Sequence, residues 1–437
     1  MTDTSRAPGT RHGTHHGTHR RADLRASSWP GLDAPPSGPR ALVSARVARA
    51  LFHTAVSRLD VTVHVGDHTW GRGGPVAVVS RPDEFFARLG RDQLIGFGEA
   101  YLTGAWDAED LGGFLAVLAA ELPQLVPERL QRLRGLVVRR PPAEELGSTD
   151  NTRDNVAHHY DLSNQLFEQF LDPTLSYSSA LFGDDELGRG PTRAELEGAQ
   201  VRKIERLLDR ARVGAGTRLL EIGTGWGELA IRAARRGATV TTITLSTEQQ
   251  ALAERRIAAA GLSDRVSVEL CDYRDAPALA GGAHYDAVVS VEMVEAVGWQ
   301  FWRTYFETID RVLAPGGRVA IQAITMPHEQ MLKTRNTYTW INKYIFPGGF
   351  LPSVRVVDEI TRQHTTLRLR ETFSMGTSYA ETLRLWDQAF LGASRRVAEL
   401  GFDDTFVRMW HFYLEYSRAG FTSSYLDVHQ LTFERQR

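Results

Sequence analysis

Cysteine, long apolar runs and net charge are all scarce in this sequence. The chain has 437 residues and one cysteine, so no disulfide can form within it, and a reducing cytoplasm is the expected compartment. No stretch approaches the roughly 18 uninterrupted apolar residues of a membrane span, and no apolar signal segment follows the N-terminus. We therefore expect membrane contact only at the surface, on the inner face. A formal net charge of -2 argues against a nucleic-acid-binding protein.

The N-terminal 40 residues have the composition of a disordered tail. Residues 1–40 are rich in Gly, Pro, Thr, His and Arg and contain few apolar residues, so they cannot offset the entropy lost on ordering. Their histidines are not accompanied by cysteines or carboxylates at ligand spacing. We expect no metal site in this protein.

Residues 41–145 are predicted to form a small α+β domain. Apolar residues recur at helical spacing from Val43 to Val56, and the short apolar runs at 61–65 and 76–79 are typical of strands. Between Arg91 and Trp106, three glycines lower the helix propensity, which favours close backbone packing instead of a helix.

Five arginines between residues 129 and 140 precede Pro141 and Pro142, which indicate a linker. Arginines near a membrane surface attract anionic headgroups, although a solvated helix face explains them equally well. The expected role of this N-terminal domain is lipid binding or the formation of a homo-oligomer.

Residues 146–437 alternate between predicted strands and helices. The predicted strands are 218–222, 239–244, 266–270, 285–291 and 318–325, and the predicted helices are 196–211, 228–236, 248–260 and 301–313. Apolar strands in this alternation indicate a parallel sheet covered on both faces, with its ligand at the carboxyl ends of the strands. The predicted fold class is therefore α/β with a Rossmann-like sheet.

The first of these strands runs into the sequence Leu-Leu-Glu-Ile-Gly-Thr-Gly-Trp-Gly. Gly223, Gly225 and Gly227 allow a sharp turn and the close approach of a ligand. Glu221, at the tip of the strand, favours a ligand with positive charge over an anionic dinucleotide. The amino group and sulfonium of S-adenosylmethionine have that charge.

Motifs of two other enzyme classes are missing. A nicotinamide site would offer Asp or Glu to the ribose at the end of the second strand, where Ile243 and Thr244 stand. There is also no Asn-Pro-Pro or Asp-Pro-Pro motif of the kind used to methylate base amines. Methyl transfer to another kind of acceptor is therefore favoured.

Aromatic residues are dense in two stretches of the last third, residues 338–350 and 410–425. An aromatic stripe forms core more often than pocket. Placed after the fifth strand of a nucleotide-binding fold, these stretches would also roof a long apolar substrate and stabilise a cation on it.

At this point the sequence resembles a known family, the cyclopropane fatty acid synthases, which include the mycolic acid cyclopropane synthases. The matching stretches are 159–164, 177–178, 221–227, 244–246 with 249, 346–349, 379–380 with 385–386, and 413–414, with 95–101 in the N-terminal domain. The resemblance implies a class I S-adenosylmethionine-dependent methyltransferase domain over residues 146–437, with insertions that line a lipid pocket.

The resemblance and the glycine-rich motif together predict a set of cofactor-binding residues. These are Tyr177, Ser178, Glu221, Gly223, Gly225, Gly227, Thr244, Gln249, Asp272 and Tyr273. The resemblance also implies the acceptor, a cis double bond in a phospholipid acyl chain. Methylation gives a carbocation that a base must quench by removing a proton.

Family members hold a bicarbonate as that base, surrounded by Cys, Glu, His, Ile and Tyr. The matching positions here are Ser179, Glu295, Gln322, Ile324 and Tyr379, which we take as the candidate catalytic residues. Ser and Gln replace the family's Cys and His, and neither titrates as a His does. Two interpretations stay open: bicarbonate binds in another way, or Glu295 acts more directly.

Ser179, Gln322 and the sequence at 322–327 resemble more closely the actinobacterial members that form 10-methylene and then 10-methyl stearoyl chains. We therefore expect a 10-methylene product from an oleoyl phospholipid, which a separate reductase would saturate. A cyclopropane is the alternative product. A methyltransferase for a small apolar molecule or an amine, and an inactive subunit that only binds the cofactor, are the other hypotheses.

Overall fold

The computed structural model describes residues 29–125 and 164–436, which form two sheets and the helices around them. The strands are β1 Thr62–Val65, β2 His68–Gly71, β3 Val76–Val79, β4 Trp106–Ala108, β5 Arg218–Ile222, β6 Thr239–Thr244, β7 Val266–Leu270, β8 Tyr285–Val291, β9 Leu313–Thr325, β10 Leu367–Ser374 and β11 Asp427–Arg435.

The helices are numbered in chain order over the described residues. They are α1 Pro39–Val56, α2 Pro82–Leu102, α3 Leu111–Leu125, α4 Asn164–Phe167, α5 Asp184–Arg189, α6 Leu196–Arg210, α7 Glu228–Arg235, α8 Thr247–Ala259, α9 Ala276–Leu279, α10 Trp302–Val312, α11 His328–Thr334, α12 Trp340–Tyr344, α13 Val354–His364, α14 Gly376–Gly392, α15 Ser394–Glu399 and α16 Asp404–Thr422. No helix among the described residues combines the length and the apolar character needed to cross a membrane.

The large sheet has the order β10-β11-β9-β8-β5-β6-β7. Its five strands from β5 to β9 are parallel, which confirms the predicted Rossmann-like core. The prediction of a wholly parallel sheet is wrong at one edge, because β11 pairs antiparallel with both β9 and β10. Buried Val428, Leu431 and Phe433 explain why the end of the chain enters the sheet. This addition places Gln430 opposite Gln322.

The stretch from Arg91 to Trp106 is largely helical, which corrects the prediction that its glycines exclude a helix. Helix α2 runs through the glycines and is kinked at Gln93, where φ is 54° and ψ is -126°. The close packing predicted for these glycines is confirmed. A Cβ on Gly98 would lie 2.5 Å from the indole of Trp340 on α12. The indole ring approaches the α2 backbone here at a distance that only glycine permits.

Residues 29–40, the last part of the predicted disordered tail, have a defined structure. The Trp29 indole N–H donates to Asp403 at 2.9 Å. The guanidinium of Arg88, which is fully buried, donates to the carbonyls of Gly31 and Leu32 at 3.0 and 2.9 Å. A buried guanidinium needs such acceptors, so this segment is fixed to α2. Residues 1–28 and the arginines at 129–140 lie outside the described residues.

The N-terminal elements share a hydrophobic core with the aromatic C-terminal helices. Trp106, Trp340 and Phe412 belong to one cluster, and Arg408 of α16 donates to the carbonyl of Tyr101 at 2.8 Å. Lys343 of α12 forms an ion pair of 2.5 Å with the buried Glu99. The predicted domain boundary therefore does not mark a gap in packing, and independent folding of the N-terminal unit stays a prediction.

Replacing Gly98 by Ala tests the contact between α2 and α12. Alanine improves helix propensity by about 1 kcal/mol, but overpacking a core costs about 1–3 kcal/mol. We expect Gly98→Ala to lower the free energy of unfolding and the urea midpoint. Gly188→Ala on α5 is the control, since no atom lies within 4 Å of its Cβ position. Equal midpoints for the two variants would contradict this packing.

Candidate active site

The glycine-rich turn lies at the carboxyl ends of the parallel strands. Gly223, Gly225 and Gly227 have φ values of 98°, 51° and 89°, which glycine adopts without strain. The Gly223 amide donates to the carbonyl of Ile243 at 3.0 Å, which fixes the turn to β6. A Cβ on Gly223 would lie 2.6 Å from Met293 Cγ, whereas the Cβ position of Gly225 has no atom within 4 Å. The turn is therefore packed at its start and open at its centre.

Glu221 is a buried acid with unused hydrogen-bonding capacity. It is 3% exposed, and its Oε2 has no hydrogen-bond partner among the described residues. Burial raises the pKa of Glu221 to about 8, while a hydrogen bond with Thr242 and the charge of Lys203 act in the opposite direction. An acid in this condition gains from a cationic ligand. The structure thus supplies a carboxyl group whose ionised form a sulfonium cofactor would stabilise.

The cofactor residues predicted after β6 and β7 lie at adjacent strand ends. The Thr244 hydroxyl donates to Gln249 Oε1 at 2.9 Å, and the Cys271 amide donates to the Thr244 carbonyl at 3.0 Å. Asp272 follows at once, and its carboxylate accepts from the Arg274 guanidinium at 2.8 and 2.6 Å.

Tyr273, the next predicted residue, is buried with its ring edge-on to Tyr305 at 5.2 Å. Among the described residues no cluster of three or more His, Cys, Asp or Glu side chains could hold a metal ion. The matched stretch 159–164 lies outside the described residues except for Asn164. The side chain of Asn164 accepts from the Trp226 indole at 2.9 Å.

Tyr177 and Ser178 connect the cofactor end of the sheet to the aromatic helices. The Tyr177 hydroxyl shares a 2.7 Å hydrogen bond with that of Tyr413, and its ring stacks on Trp386 at 5.3 Å. The Ser178 hydroxyl accepts from Lys203 Nζ at 2.7 Å. Lys203 is a buried cation that the sequence analysis missed, because it stands on the amphipathic helix α6 without a motif around it.

Lys203 is the positive charge of the site. Burial lowers its pKa to about 8, while Glu292, Asp172 and Glu221 act to raise it. A buried ammonium persists only where acids compensate for the lost water. Lys203 therefore couples the acid below the glycine turn to a second acid after β8.

That second acid, Glu292, brings together three of the five predicted catalytic residues. Its Oε1 accepts from the Ser179 amide at 3.0 Å and from Gln322 Nε2 at 2.8 Å. Its Oε2 accepts from the Tyr379 hydroxyl at 2.8 Å. The sequence analysis missed Glu292, although it directly follows β8, at the edge where the ligand was expected.

The backbone of Glu292 has a left-handed conformation, with φ at 52°. Such values are uncommon for residues other than glycine and concentrate at functional sites. The Glu292 amide donates to the carbonyl of Gln322 at 2.8 Å, so the strained residue is fixed to β9 on two sides.

Gln322 is oriented by the antiparallel strand β11. Gln430 Nε2 donates to Gln322 Oε1 at 3.2 Å and to the Lys203 carbonyl at 3.2 Å, while Arg206 donates to Gln430 Oε1 at 2.7 Å. Since the oxygen of Gln322 already accepts from Gln430, its nitrogen is directed to Glu292. Gln322, which replaces the family's His, thus belongs to a series of hydrogen bonds that runs from Arg206 through Gln430 and Gln322 to Glu292.

The remaining two predicted catalytic residues, Glu295 and Ile324, contact each other. Glu295 Oε1 accepts from the Ile324 amide at 2.5 Å, and its Oε2 has no partner within the described part of the chain. Burial and, secondly, the charge of Glu292 raise the pKa of Glu295 to about 8. Burial also raises the pKa of Glu292, against its three hydrogen bonds and the attraction of Lys203. The two acids therefore have different environments: Glu292 has three donors, two of them side chains, whereas Glu295 has only the backbone donors of Ile324 and of its own residue.

The parallel sheet, the glycine turn and the buried acid beside it define a class I S-adenosylmethionine-dependent methyltransferase. The chain belongs to the mycolic acid cyclopropane synthetase family, whose pattern matches residues 147–431. This membership and the Rossmann-like fold confirm the family and fold class predicted from the sequence.

Two relatives match most of the chain. Tuberculostearic acid methyltransferase UfaA1 of Mycobacterium tuberculosis is 49% identical over 419 residues, which cover 95% of this chain and 97% of the relative. Cyclopropane-fatty-acyl-phospholipid synthase of Escherichia coli is 33% identical over 359 residues, covering 82% and 87%.

Solved structures of two cyclopropane synthases resemble the methyltransferase part. MmaA2 from Mycobacterium tuberculosis superposes with a TM-score of 0.57 at 28% identity, over 65% of this chain and 98% of that chain. CmaA1 complexed with SAH and CTAB gives 0.57 at 29% identity, with the same coverage.

Replacing Glu221 by Gln tests the predicted cofactor acid. A hydrogen bond to a charged group contributes about 1.5–3 kcal/mol, so we expect the dissociation constant for S-adenosylmethionine to rise at least about tenfold. Isothermal titration calorimetry measures it directly. Glu254→Gln removes the same charge from an exposed position on α8 and should leave the constant unchanged. Equal affinities for both variants would remove Glu221 from the cofactor site.

Proposed function

We propose that this chain transfers a methyl group from S-adenosylmethionine to the cis double bond of an oleoyl phospholipid, giving a 10-methylene acyl chain. The observation that carries the proposal is a pair of buried acids, Glu292 and Glu295, beside the methyl-donor turn and under aromatic side chains. Methylation of an amine or a hydroxyl does not require such a site, because no carbocation forms. The relative named tuberculostearic acid methyltransferase, 49% identical, supports the same acceptor class.

Methyl transfer to an unactivated alkene leaves a cation on the acyl chain, and the protein must protect that cation from water. When bound, S-adenosylmethionine supplies an electrophilic methyl group. The protein's part is to exclude water, to stabilise positive charge and to accept one proton at a carboxylate. Both acids after β8 are candidates for the last task.

Aromatic side chains supply the dry and electron-rich surroundings. The Tyr379 ring packs on Phe421 at 4.6 Å, and Phe346 lies 6.0 Å from Tyr413. Aromatic faces attract a cation and do not react with it as water would. Phe346, Tyr413 and Phe421 come from the two stretches predicted to form an aromatic roof, whereas Tyr379 lies outside them and donates to Glu292.

A 10-methylene product requires a hydride shift before the new methyl group loses its proton, and a cyclopropane requires proton loss with ring closure. Ser179 and Gln322, where cyclopropane-forming members have Cys and His, favour the methylene. The 33% identity to a cyclopropane-fatty-acyl-phospholipid synthase supports a cyclopropane as the alternative product. Saturation of the methylene to a 10-methyl chain would fall to a separate reductase.

Bicarbonate has no place in this proposal. The donors that the resemblance assigns to it already serve the carboxylate of Glu292, namely Ser179, Gln322 and Tyr379. A second anion at the same donors would face an unscreened negative charge.

Helix α1 supports action at a membrane surface. Its outer face exposes Leu42, Val43, Val47 and Leu51 by 63, 60, 54 and 48%. The exposed Arg46 lies between them. A helix with apolar and basic residues on its solvent face is typical of one that lies in the headgroup region of a bilayer. The phospholipid substrate would be met there. Formation of a homo-oligomer stays a prediction.

Lipid product analysis tests the proposed reaction. Vesicles of dioleoyl phospholipid are incubated with the protein and S-adenosylmethionine, and the fatty acid methyl esters are analysed by gas chromatography with mass spectrometry. We expect a 10-methylene ester, and none from saturated dipalmitoyl vesicles. A ring-containing ester alone would contradict the product. Methylation of a small amine without any uptake by lipid would contradict the function.

Vesicle cosedimentation tests the membrane face of α1. Burying one leucine contributes about 1.5–3 kcal/mol, so Leu42→Gln, Val47→Gln and Leu51→Gln together should weaken binding to anionic vesicles at least about tenfold. Leu279→Gln with Leu391→Gln removes exposed leucines elsewhere and is the control. Unchanged vesicle binding would refute the proposal that this face of α1 binds membranes. A change in oligomeric state without weaker vesicle binding would indicate that the face instead contacts a second copy of the chain.

A further inference from the structure

We propose that the carboxylate of Glu292 is the built-in anion of the reacting centre and accepts the proton that the acyl-chain cation loses. A protein side chain thereby takes the place that bicarbonate has in the family. The identity of the substrate rests on the proposed function, whereas the anion site itself does not.

The donor shell of Glu292 is that of an anion site already filled. A backbone N–H from Ser179, an amide N–H from Gln322 and a phenol O–H from Tyr379 point at its two oxygens at 3.0, 2.8 and 2.8 Å. All three partners of the carboxylate are hydrogen-bond donors, and among the bonds described no other acceptor faces its oxygens. Donors directed at a carboxylate favour its ionised form.

Glu292 also lies next to the place where the methyl donor is expected. The side chain of its neighbour Met293 fills the space that a Cβ on Gly223 would need, at 2.6 Å. The carboxylate accepts three hydrogen bonds, and because its two oxygens offer about four lone pairs, one lone pair stays available. A group in this position can reach a cation that forms beside the glycine turn.

The charged and hydrogen-bonding groups around Glu292 and Glu295 give these two acids different roles. Lys203 attracts Glu292 and Glu221, Tyr379 donates to Glu292, and Glu295 stands beside Glu292 with backbone donors only. Like charges in one site do not both ionise. The acid that has side-chain donors and the attraction of Lys203 keeps the negative charge, and its neighbour keeps a proton. Environments that separate two carboxyl groups in this way assign the base and the neutral partner.

The electron count of the step is complete without another reactant. The alkene π pair forms the new carbon–methyl bond, and the pair of the broken sulfur–methyl bond stays on sulfur, leaving one positive charge on the acyl chain. A C–H pair of that cation then forms the new carbon–carbon double bond, and the proton passes to Glu292. The neutral acid that results releases its proton to water before the next turnover.

Two substitutions at residue 292 separate the charge of the side chain from its volume. Glu292→Gln keeps the volume but removes the base. Glu292→Gly removes the side chain and suits the left-handed backbone, where φ is 52°. Calorimetry with S-adenosylmethionine verifies that each variant is folded, and both should bind it within about threefold of the wild type.

The first readout is binding of ¹³C-labelled bicarbonate followed by NMR, with no lipid present. We expect no binding to the wild type or to Glu292→Gln. Glu292→Gly should bind the anion, because three donors are then free. Binding to the wild type at these donors, lost on Tyr379→Phe, would overturn the proposal.

The second readout is the rate on dioleoyl vesicles in buffer freed of bicarbonate. The wild type should keep its rate, and both variants should lose about 10²- to 10⁴-fold in kcat, the usual contribution of a general base. Formate or bicarbonate should restore part of the rate of Glu292→Gly but not of Glu292→Gln. A wild-type rate that requires bicarbonate, or full activity of Glu292→Gln, would refute Glu292 as the base. If the wild type methylates no lipid, the proposed function fails, while the binding experiment still decides the anion site.

Discussion

A carboxylate remains inside an apolar site only where hydrogen-bond donors replace the water it has lost. For Glu292 these donors come from three distant parts of the chain: the segment before α5, strand β9 and helix α14. The added strand β11 serves the same interaction, because Gln430 fixes the amide of Gln322 in the donating orientation. Much of the architecture outside the parallel sheet therefore converges on one buried acid.

The same need to compensate for lost water explains why the buried Lys203 occurs together with the buried acids Glu221 and Glu292. A lone buried ammonium or carboxylate would be neutral at physiological pH, since desolvation opposes charge. Lys203 attracts both Glu221 and Glu292, so the ammonium makes the charge of each acid less costly and each acid does the same for the ammonium. Glu295, with backbone donors only, lies outside this compensation. The two neighbouring acids therefore differ both in their hydrogen-bond donors and in the attraction of Lys203.

The sequence allowed the parallel sheet and its glycine turn to be predicted closely. Apolar and β-branched residues prevail in the short strands β5 to β8, and Gly223 needs a positive φ that few residues adopt. Helix α2 escaped prediction because tertiary packing against Trp340 outweighs the low helix propensity of its glycines. Glu292 was not predicted as a site residue, because no sequence motif surrounds it. Its partners lie 113, 30 and 87 residues away, and only folding brings them together.

The N-terminal unit is connected to the acids by a continuous series of contacts. Helix α2 packs on α12 through Gly98 and through the Glu99–Lys343 ion pair. The segment after α12 reaches the site, where the Phe350 amide donates to the Glu295 carbonyl at 2.9 Å. Helix α1, which packs on α2, and the acids after β8 thus belong to one packed body in the described residues.

Infrared difference spectroscopy at neutral pH tests the central claim most directly, since it reports the protonation of each acid. Spectra of the wild type minus Glu292→Gln and of the wild type minus Glu295→Gln isolate the two carboxyl groups. The account predicts an ionised carboxylate band for Glu292 and a protonated carboxyl band for Glu295. A protonated Glu292 beside an ionised Glu295 would contradict it.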